Sequence, residues 1–283
     1  MNYDLKLQQL IKNALAEDIG TGDYSSLSTI DASAEGKAIL KIKQDGLLAG
    51  IQVAEKIFRY LQNDILFTAF KKDGDAMLYG QNAFEVNAKV HTILKAERLV
   101  LNTMQRMSGI ATLTEKYVKK LAGYKTKLLD TRKTTPNFRL LEKEAVRIGG
   151  AVNHRFGLYD MIVLKDNHID YCGGIEKAIN KAYDYVQQHS LYLKIEVETR
   201  NIDDVKKVMS TGKIDRIMLD NFTPEKISEA LKIIDGHYET EASGGINYHN
   251  IKDYAATGVD YISSGAIIHQ AVSLDLSLKA IMI

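Results

Sequence analysis

The chain has 283 residues, room for one large or two modest domains, and its 45% apolar and 26% charged residues are the balance of a globular protein that buries its own core. Its 37 basic and 36 acidic side chains leave a net charge of +1, so no global field draws it to nucleic acid or to an anionic membrane, and any basic patch is local. The lone cysteine, Cys172, excludes an intrachain disulfide and a cysteine-built zinc site and fits a reducing cytoplasm, while no run approaches the roughly 18 apolar residues of a membrane span.

Up to Gly20 the apolar residues Leu5, Leu7, Leu10, Ile11, Ala14 and Leu15 recur with charges between them, which predicts an amphipathic helix and not a secretory leader. Residues 18–23 read as a turn cluster. Residues 37–43 alternate apolar and polar as a half-buried strand, 46–50 make a second short one, 51–61 have helical period, and 65–70 and 84–91 return to strand. Together they predict an α+β unit whose strands each keep one wet face. A long helix follows over 93–121, with a kink at Gly109, as the connection between domains; on pattern alone its Arg98 and Arg106 are exposed helix charges.

From residue 125 the pattern becomes strand, polar strand end, helix, repeated. Strands are expected at 127–129, 161–164, 193–197, 216–219, 238–242 and 260–262, and helices at about 139–148, 175–189, 202–211, 224–234 and 248–256. The last three strand starts lie about 22 residues apart, the length of one βα unit. Six such units fit and eight do not, so this half reads as α/β, either a six-stranded, incomplete α/β barrel or an open parallel sheet.

The strand ends offer, in order, Asp130-Thr131-Arg132-Lys133, Lys165-Asp166-Asn167-His168, Glu196 and Glu198, Asp220-Asn221, Ser243-Gly244-Gly245 and Ser263-Ser264-Gly265. Buried parallel strands that finish in ionisable groups or glycine present chemistry at their carboxyl ends. The turns at Ser243-Gly244-Gly245 and Ser264-Gly265, each ahead of an expected helix, suit a monophosphate, because glycine lets main-chain amides approach an oxyanion. Glu198 and Asp220 suit general acid–base work, a divalent cation or sugar hydroxyls; a rim holding phosphate and many cations favours the last two, with Mg²⁺ taking carboxylate and phosphate oxygens. Arg132, Lys133, His154, Arg155 and Lys165 then face the opening as a cationic cluster, with Arg139, Lys143, Arg147 and His168 in the same stretch. Opposite charges about 4 Å apart attract by about 4 kcal/mol at an effective dielectric near 20, and arginine adds selection for carboxylate or phosphate. Pairing with Asp130, Glu142, Asp160 and Asp166 is the plainer account of those cations. No GxxxxGKS/T loop and no GxGxxG turn is present, against a P-loop or Rossmann nucleotide site.

With these residues in hand the chain resembles the quinolinate phosphoribosyltransferases, the decarboxylating nicotinate-nucleotide pyrophosphorylases. The motifs are DTRKTTP at 130–136, GGAVNHRFGLYD at 149–160, LKDNH at 164–168, IEVE at 195–198, LDNF at 219–222, EASGGI at 241–246 and VDYISSGA at 259–266. Asn137, Glu144 and Ala151 depart from residues frequent in that family, and they touch only the shape of the first loop. The resemblance implies an N-terminal α/β sandwich domain over 1–112, joined by residues 272–283, and an incomplete barrel over 113–271. It further implies a homodimer with a site shared between subunits, a hexamer being left open, and transfer from phosphoribosyl pyrophosphate to quinolinate with Mg²⁺, releasing pyrophosphate and CO₂. Arg132, His154, Arg155 and Lys165, with Arg98 of the partner subunit, would hold the quinolinate carboxylates. Lys133 would sit at the pyrophosphate junction, Glu198 and Asp220 at the ribose hydroxyls or the metal, and Ser243, Gly244, Gly245, Ser264 and Gly265 at the 5′-phosphate.

Three alternatives stand beside this reading: a same-fold relative in molybdenum transport, a transferase acting on nicotinate without decarboxylation, and a protein that only sequesters a phosphorylated metabolite. Asn153 before His154 and the intact Lys165-Asp166-Asn167-His168 favour the quinolinate enzyme. A sequestering protein would not need Glu198 and Asp220 together. Cys172 is expected to be buried, and Asn167 and His168 either to meet ligand or to cap a turn.

Overall fold

A computed structural model describes residues 2–281 and divides the chain into two compact units. The first comprises residues 1–115, 134–150 and 268–283, and the second 116–133 and 151–267. Residues 134–150, assigned to the barrel by the sequence reading, thus group with the first unit.

The first unit opens with α1 (Tyr3–Ile19), capped by the Asn2 side chain accepting from Asp4 N, and it buries Leu7, Ile11 and Leu15, spaced to share one face. Then follow the unanticipated α2 (Tyr24–Thr29), β1 (Glu35–Ile42), β2 (Gly46–Leu47), α3 (Ile51–Leu61), β3 (Leu66–Ala69), the equally unanticipated β4 (Ala76–Met77), β5 (Asn82–Lys89) and α4 (Val90–Lys120). The first turn of α3 has no cap of its own. Asp73 supplies it, its carboxylate accepting from Gly50 N at 2.6 Å and Ile51 N at 2.9 Å. Phe58 of α3 meets Phe84 of β5 edge to face at 6.1 Å, and Phe67 of β3 lies 4.6 Å from the same ring, so a helix covers the buried face of the sheet.

That sheet has the order β12-β1-β5-β3 and is antiparallel throughout, with β12 (Leu276–Ile281) set against β1 in register Leu278↔Leu40. The end of the chain therefore completes the first sheet. The residues leading into β12 run along α4: Leu274 N donates to Gln105 O at 3.1 Å, and Arg106 donates to Ala271 O at 2.7 Å and Ile268 O at 3.0 Å. Arg106 also grips the fully buried Glu142 of α5 (Arg139–Ile148) at 2.8 Å. It is a structural pin, not the exposed helix charge that its spacing suggested, because its partners lie 36 to 165 residues away and leave no local signature.

Gly109 lies inside the unbroken α4. A Cβ there would stand 2.0 Å from Val272 O, so the glycine serves close approach of two backbones and not a kink. Gly109→Ala is expected to cost about 3 kcal/mol, the upper end for overpacking, read as a lower urea midpoint; an unchanged midpoint would remove this account.

The second unit follows the expected alternation: β6 (Lys127–Leu129), β7 (Ile162–Leu164), α6 (Asp166–Cys172), α7 (Ile175–Gln188), β8 (Ile195–Thr199), α8 (Ile202–Thr211), β9 (Arg216–Asp220), α9 (Pro224–Ile234), β10 (Glu239–Ser243), α10 (Ile251–Ala255), β11 (Tyr261–Ser263) and α11 (Ala266–His269). The six parallel strands have the order β6-β11-β10-β9-β8-β7. Beyond β6, a single parallel bridge joins Leu129 to Val152. One face carries Val197, Ile217, Leu219, Ala242 and Ile262, all buried, as expected beneath the helices of βα units. The short α6 and α11 escaped the sequence reading because they are shorter than the window in which helical period declares itself. Among the described residues no helix is long and apolar enough to cross a membrane.

Candidate active site

On β8, β9 and β10 the residues opposite that apolar face are Glu196 and Glu198, Arg216, Met218 and Asp220, and Glu239, Glu241 and Ser243, as the strand period of two and the parallel register require. Deep in the sheet lie the charges; at its carboxyl end lie the groups read from the sequence.

At that end Lys165 Nζ bonds Glu198 Oε2 at 2.7 Å, and Asp166 N donates to Glu198 Oε1 at 3.3 Å. Glu198 is 6% exposed. Asp220, at the end of β9, stands level with Ser243. Burial first, and then the charge of Glu198, raise its pKa above the usual carboxylate value, while the Ser243 hydroxyl and Lys165 oppose the rise. Two carboxylates and one lysine thus share a partly desolvated place where a further cation would be welcome.

Beyond them, Gly244 and Gly245 hold φ of 91° and 64°, which turns the chain sharply after β10. No helix starts at this turn, contrary to the sequence reading: α10 begins only at Ile251, and Asn247 and Asn250 knit the residues between with Asn247 N donating to Asn250 Oδ1 at 2.8 Å and Asn250 Nδ2 donating to Gly245 O at 3.2 Å. An anion here would meet turn amides, not a helix end. Ser264 is 3% exposed, and its hydroxyl donates to Ile246 O at 2.9 Å while its N–H donates to Leu129 O at 3.0 Å. It ties the two glycine turns together, leaving Gly265 beside them for contact.

The cations divide. Arg132 and Lys133 are exposed, and Lys133 N donates to Thr131 Oγ1 at 3.0 Å. Arg155 is half-buried with Nη1 donating to Met161 O at 3.1 Å, and burial, then the neighbouring charge of Arg132, pulls its pKa below the ordinary guanidinium value. Two guanidinium groups held near each other favour an anion between them. Arg139, Lys143 and Arg147 lie on α5 in the first unit: Arg139 bonds Thr134, Arg147 bonds Glu144 and Lys143 is buried. Arg98 is an exposed residue of α4, also in the first unit. Glu142 serves Arg106, and Asp160 accepts from Phe156 N and Gly157 N.

His154 turns inward. Its Nδ1 accepts the Arg155 main-chain N–H at 2.7 Å, and its Nε2 lies 3.0 Å from Glu196 and 3.3 Å from Glu241. The expectation that this ring greets a ligand at the opening meets a ring whose Nδ1 is taken by the main chain and whose Nε2 faces two buried carboxylates. Burial, the largest influence, disfavours a charged ring and the two carboxylates oppose it; because Nδ1 accepts a main-chain N–H, the ring proton sits on Nε2, facing those carboxylates. Asp130, fully buried, accepts from Asn153 Nδ2 at 2.7 Å and His154 N at 2.8 Å and so fixes the loop that carries Arg155. Arg216 completes the cluster, 3.2 Å from Glu241 and 3.0 Å from Glu239.

Sequence reasoning missed Glu241, Arg216 and the depth of Glu196. The alternation of charge in IEVE and ETEAS was the available signal, obscured by reading these strands as apolar runs. His168 and Asn167 belong to α6, with His168 Nδ1 accepting from Lys165 N at 3.1 Å, a cap. Cys172, expected to be buried, is of intermediate exposure.

A cavity of about 740 Å³ opens at the other, amino-terminal end of the strands, lined by Lys125, Lys194, Glu239 and Asp260 among others. Lys125 pairs with Asp260 at 3.2 Å and Lys194 with Glu239 at 3.3 Å, so these charges answer one another and not a ligand.

Comparison with known proteins agrees with the geometry. Residues 23–108 match the N-terminal domain and residues 110–279 the C-terminal domain of quinolinate phosphoribosyl transferase. The chain is 42% identical to the chloroplastic nicotinate-nucleotide pyrophosphorylase [carboxylating] of Arabidopsis thaliana, across 98% of this chain and 83% of that one. It is 40% identical to the probable enzyme of the same name from Bacillus subtilis, across 98% and 94%. The solved nicotinate-nucleotide pyrophosphorylase of Francisella tularensis superposes with a TM-score of 0.90 at 40% identity, covering 99% of this chain and 98% of that one. A chain matched by both domain models, similar in sequence nearly end to end, and carrying its cations and carboxylates at the carboxyl ends of six parallel strands belongs to the quinolinate phosphoribosyltransferase family.

Proposed function

We infer that this chain is a decarboxylating phosphoribosyltransferase of NAD biosynthesis, converting quinolinate and phosphoribosyl pyrophosphate to nicotinate mononucleotide, pyrophosphate and CO₂. Beyond family membership, the observation that carries the reading is the Lys165–Glu198–Asp220 arrangement beside the Ser243–Gly245 turn.

Displacement of pyrophosphate leaves cationic character on the ribose carbon and negative charge on the departing group. Glu198 and Asp220 face the sugar, where fixed negative charge stabilises the developing cation, and Lys133 takes the leaving group. Main-chain amides at Gly244, Gly245 and Gly265 receive the 5′-phosphate. Arg132, Arg155 and Lys165, with Arg98 of the partner subunit in a homodimer, hold the ring carboxylates and align the pyridine nitrogen with the ribose carbon; such alignment supplies several kcal/mol of the barrier. His154 holds the main chain at Arg155. The oxygen donors of Glu198 and Asp220, the latter raised by burial and then by the charge of Glu198, fit Mg²⁺ bound together with substrate phosphates. That ion, when bound, offsets charge on the pyrophosphate. After transfer, the positive ring nitrogen stabilises the electron pair left on the ring carbon as CO₂ departs, and that carbon then takes a proton from solvent, so no single general base is required.

The test is CO₂ release from carboxyl-labelled quinolinate with phosphoribosyl pyrophosphate, with and without Mg²⁺, beside nicotinate as competing substrate. Release that needs both substrates and stops on chelation is expected. Conversion of nicotinate alone would replace the reading with a non-decarboxylating transferase, and turnover unaffected by chelation would remove the metal.

A further inference from the structure

Asn221 follows Asp220 with φ 58°, a left-handed backbone that Asn and Gly accept and most residues resist. Its side-chain Nδ2 donates to Asp220 Oδ2 at 2.6 Å, and its main-chain N–H donates to Ser243 O at 2.8 Å. On its other side lies Gly244, where a Cβ would stand 2.2 Å from Asn221 Oδ1 and 2.8 Å from Asn221 N. The side chain of Asn221 occupies the space that any larger residue at 244 would need. One residue therefore touches both the carboxylate at the end of β9 and the main chain of the turn after β10.

A carboxylate turns easily about its last torsion. With Asn221 on one oxygen and the Ser243 hydroxyl also bonded to it, the Asp220 carboxylate has one orientation. We propose that Asn221 is a positioning residue that fixes the Asp220 carboxylate and the Ser243–Gly245 turn in one mutual geometry, so that the hydroxyls and the 5′-phosphate of one ribose phosphate are met at a set separation. This rests on the reading of Asp220 and the glycine turn given above. Asn221 itself touches no substrate; it acts through Asp220 and Gly244.

A purely structural role, in which asparagine is there for its backbone conformation alone, predicts something different. Asn221→Gly keeps the left-handed backbone and deletes the amide; Asn221→Asp keeps the shape and puts an acceptor against Asp220 where a donor was. Under the proposal, Asn221→Gly keeps the wild-type urea midpoint while kcat/KM for phosphoribosyl pyrophosphate falls by about 10- to 100-fold, the scale of a small misplacement at a reacting centre. Its KM for phosphoribosyl pyrophosphate rises, KM for quinolinate stays as in wild type, and Asn221→Asp loses more. Equilibrium binding of phosphoribosyl pyrophosphate by calorimetry, with Mg²⁺ present, should weaken in the same order. Wild-type kinetics in both variants would overturn the inference and leave the site reading standing. Losses that merely track a lowered unfolding midpoint would overturn it in favour of the structural role. Wild-type protein that binds no phosphoribosyl pyrophosphate would overturn the site reading and this inference with it.

Discussion

Glu198→Gln is expected to lower kcat by about 10²- to 10³-fold, the cost of removing one preorganised electrostatic contact to a transition state, while the protein stays folded. The substitution preserves shape and burial. What changes is charge: Lys165 Nζ, 2.7 Å from Glu198 Oε2, loses its partner, and the sugar face loses the better buried of its two carboxylates. Asp220→Asn should fall in the same range for the same reason. The two losses together should be less than their product, since the two carboxylates share one site and the charge of Glu198 acts on Asp220. Single-turnover measurement of CO₂ release separates the chemical step from product release. Urea unfolding run in parallel shows whether the fold has moved. If either variant turns over at the wild-type rate, the carboxylates are not at the sugar and the mechanism above fails. Ser264→Ala is the contrasting case, for its hydroxyl is spent on Ile246 O; it should shift stability by about 1 kcal/mol and phosphate affinity only slightly.

What the sequence disclosed follows from where the information lies. The strands at 127–129 and 216–219 and the helices at 51–61, 139–148, 202–211 and 224–234 agree with β6, β9, α3, α5, α8 and α9 to within a residue, because each is a local pattern of apolar residues closed by glycine, proline or charge. The rim was visible for the same reason: every strand leaves its apolar run through a polar group. Groups whose meaning depends on a distant partner were not visible. Arg106 looks like any helix arginine until Glu142 and the carbonyls of Ile268 and Ala271 close on it. Asn221 looks like a turn residue until Gly244 is brought against it. Asn137 is the converse, a departure from the family whose side-chain chemistry tolerates a left-handed backbone, and it stands at φ 62°.

Arg216→Met should cost the second unit about 3–5 kcal/mol, the range for removing one partner of a buried ion pair. Arg216 is the cation between Glu239 and Glu241, stacked 4.1 Å from the Tyr261 ring, and Glu241 and Glu196 are both fully buried. Methionine fills much of the space but leaves those carboxylates to His154. Arg216→Lys keeps the charge without the fork and should lose less. Arg216→Met combined with Glu241→Gln should recover part of the loss, since the stranded charge goes with its partner. The pH dependence supplies the sharper sign. Burial, and then Glu241, raise Glu196 to about 7 from an ordinary 4.5, so the folded state holds a proton there that the unfolded chain releases near 4.5. Stability from that proton is complete below the unfolded value and is lost as pH rises through about 7. Without Arg216 the cluster depends more heavily on protonation, so the deficit of Arg216→Met relative to wild type should be small near pH 5 and grow toward pH 8. Urea midpoints of the two proteins across that interval decide the matter: a deficit that is flat with pH, or one below about 1 kcal/mol throughout, would mean that Arg216 does not neutralise the buried carboxylates.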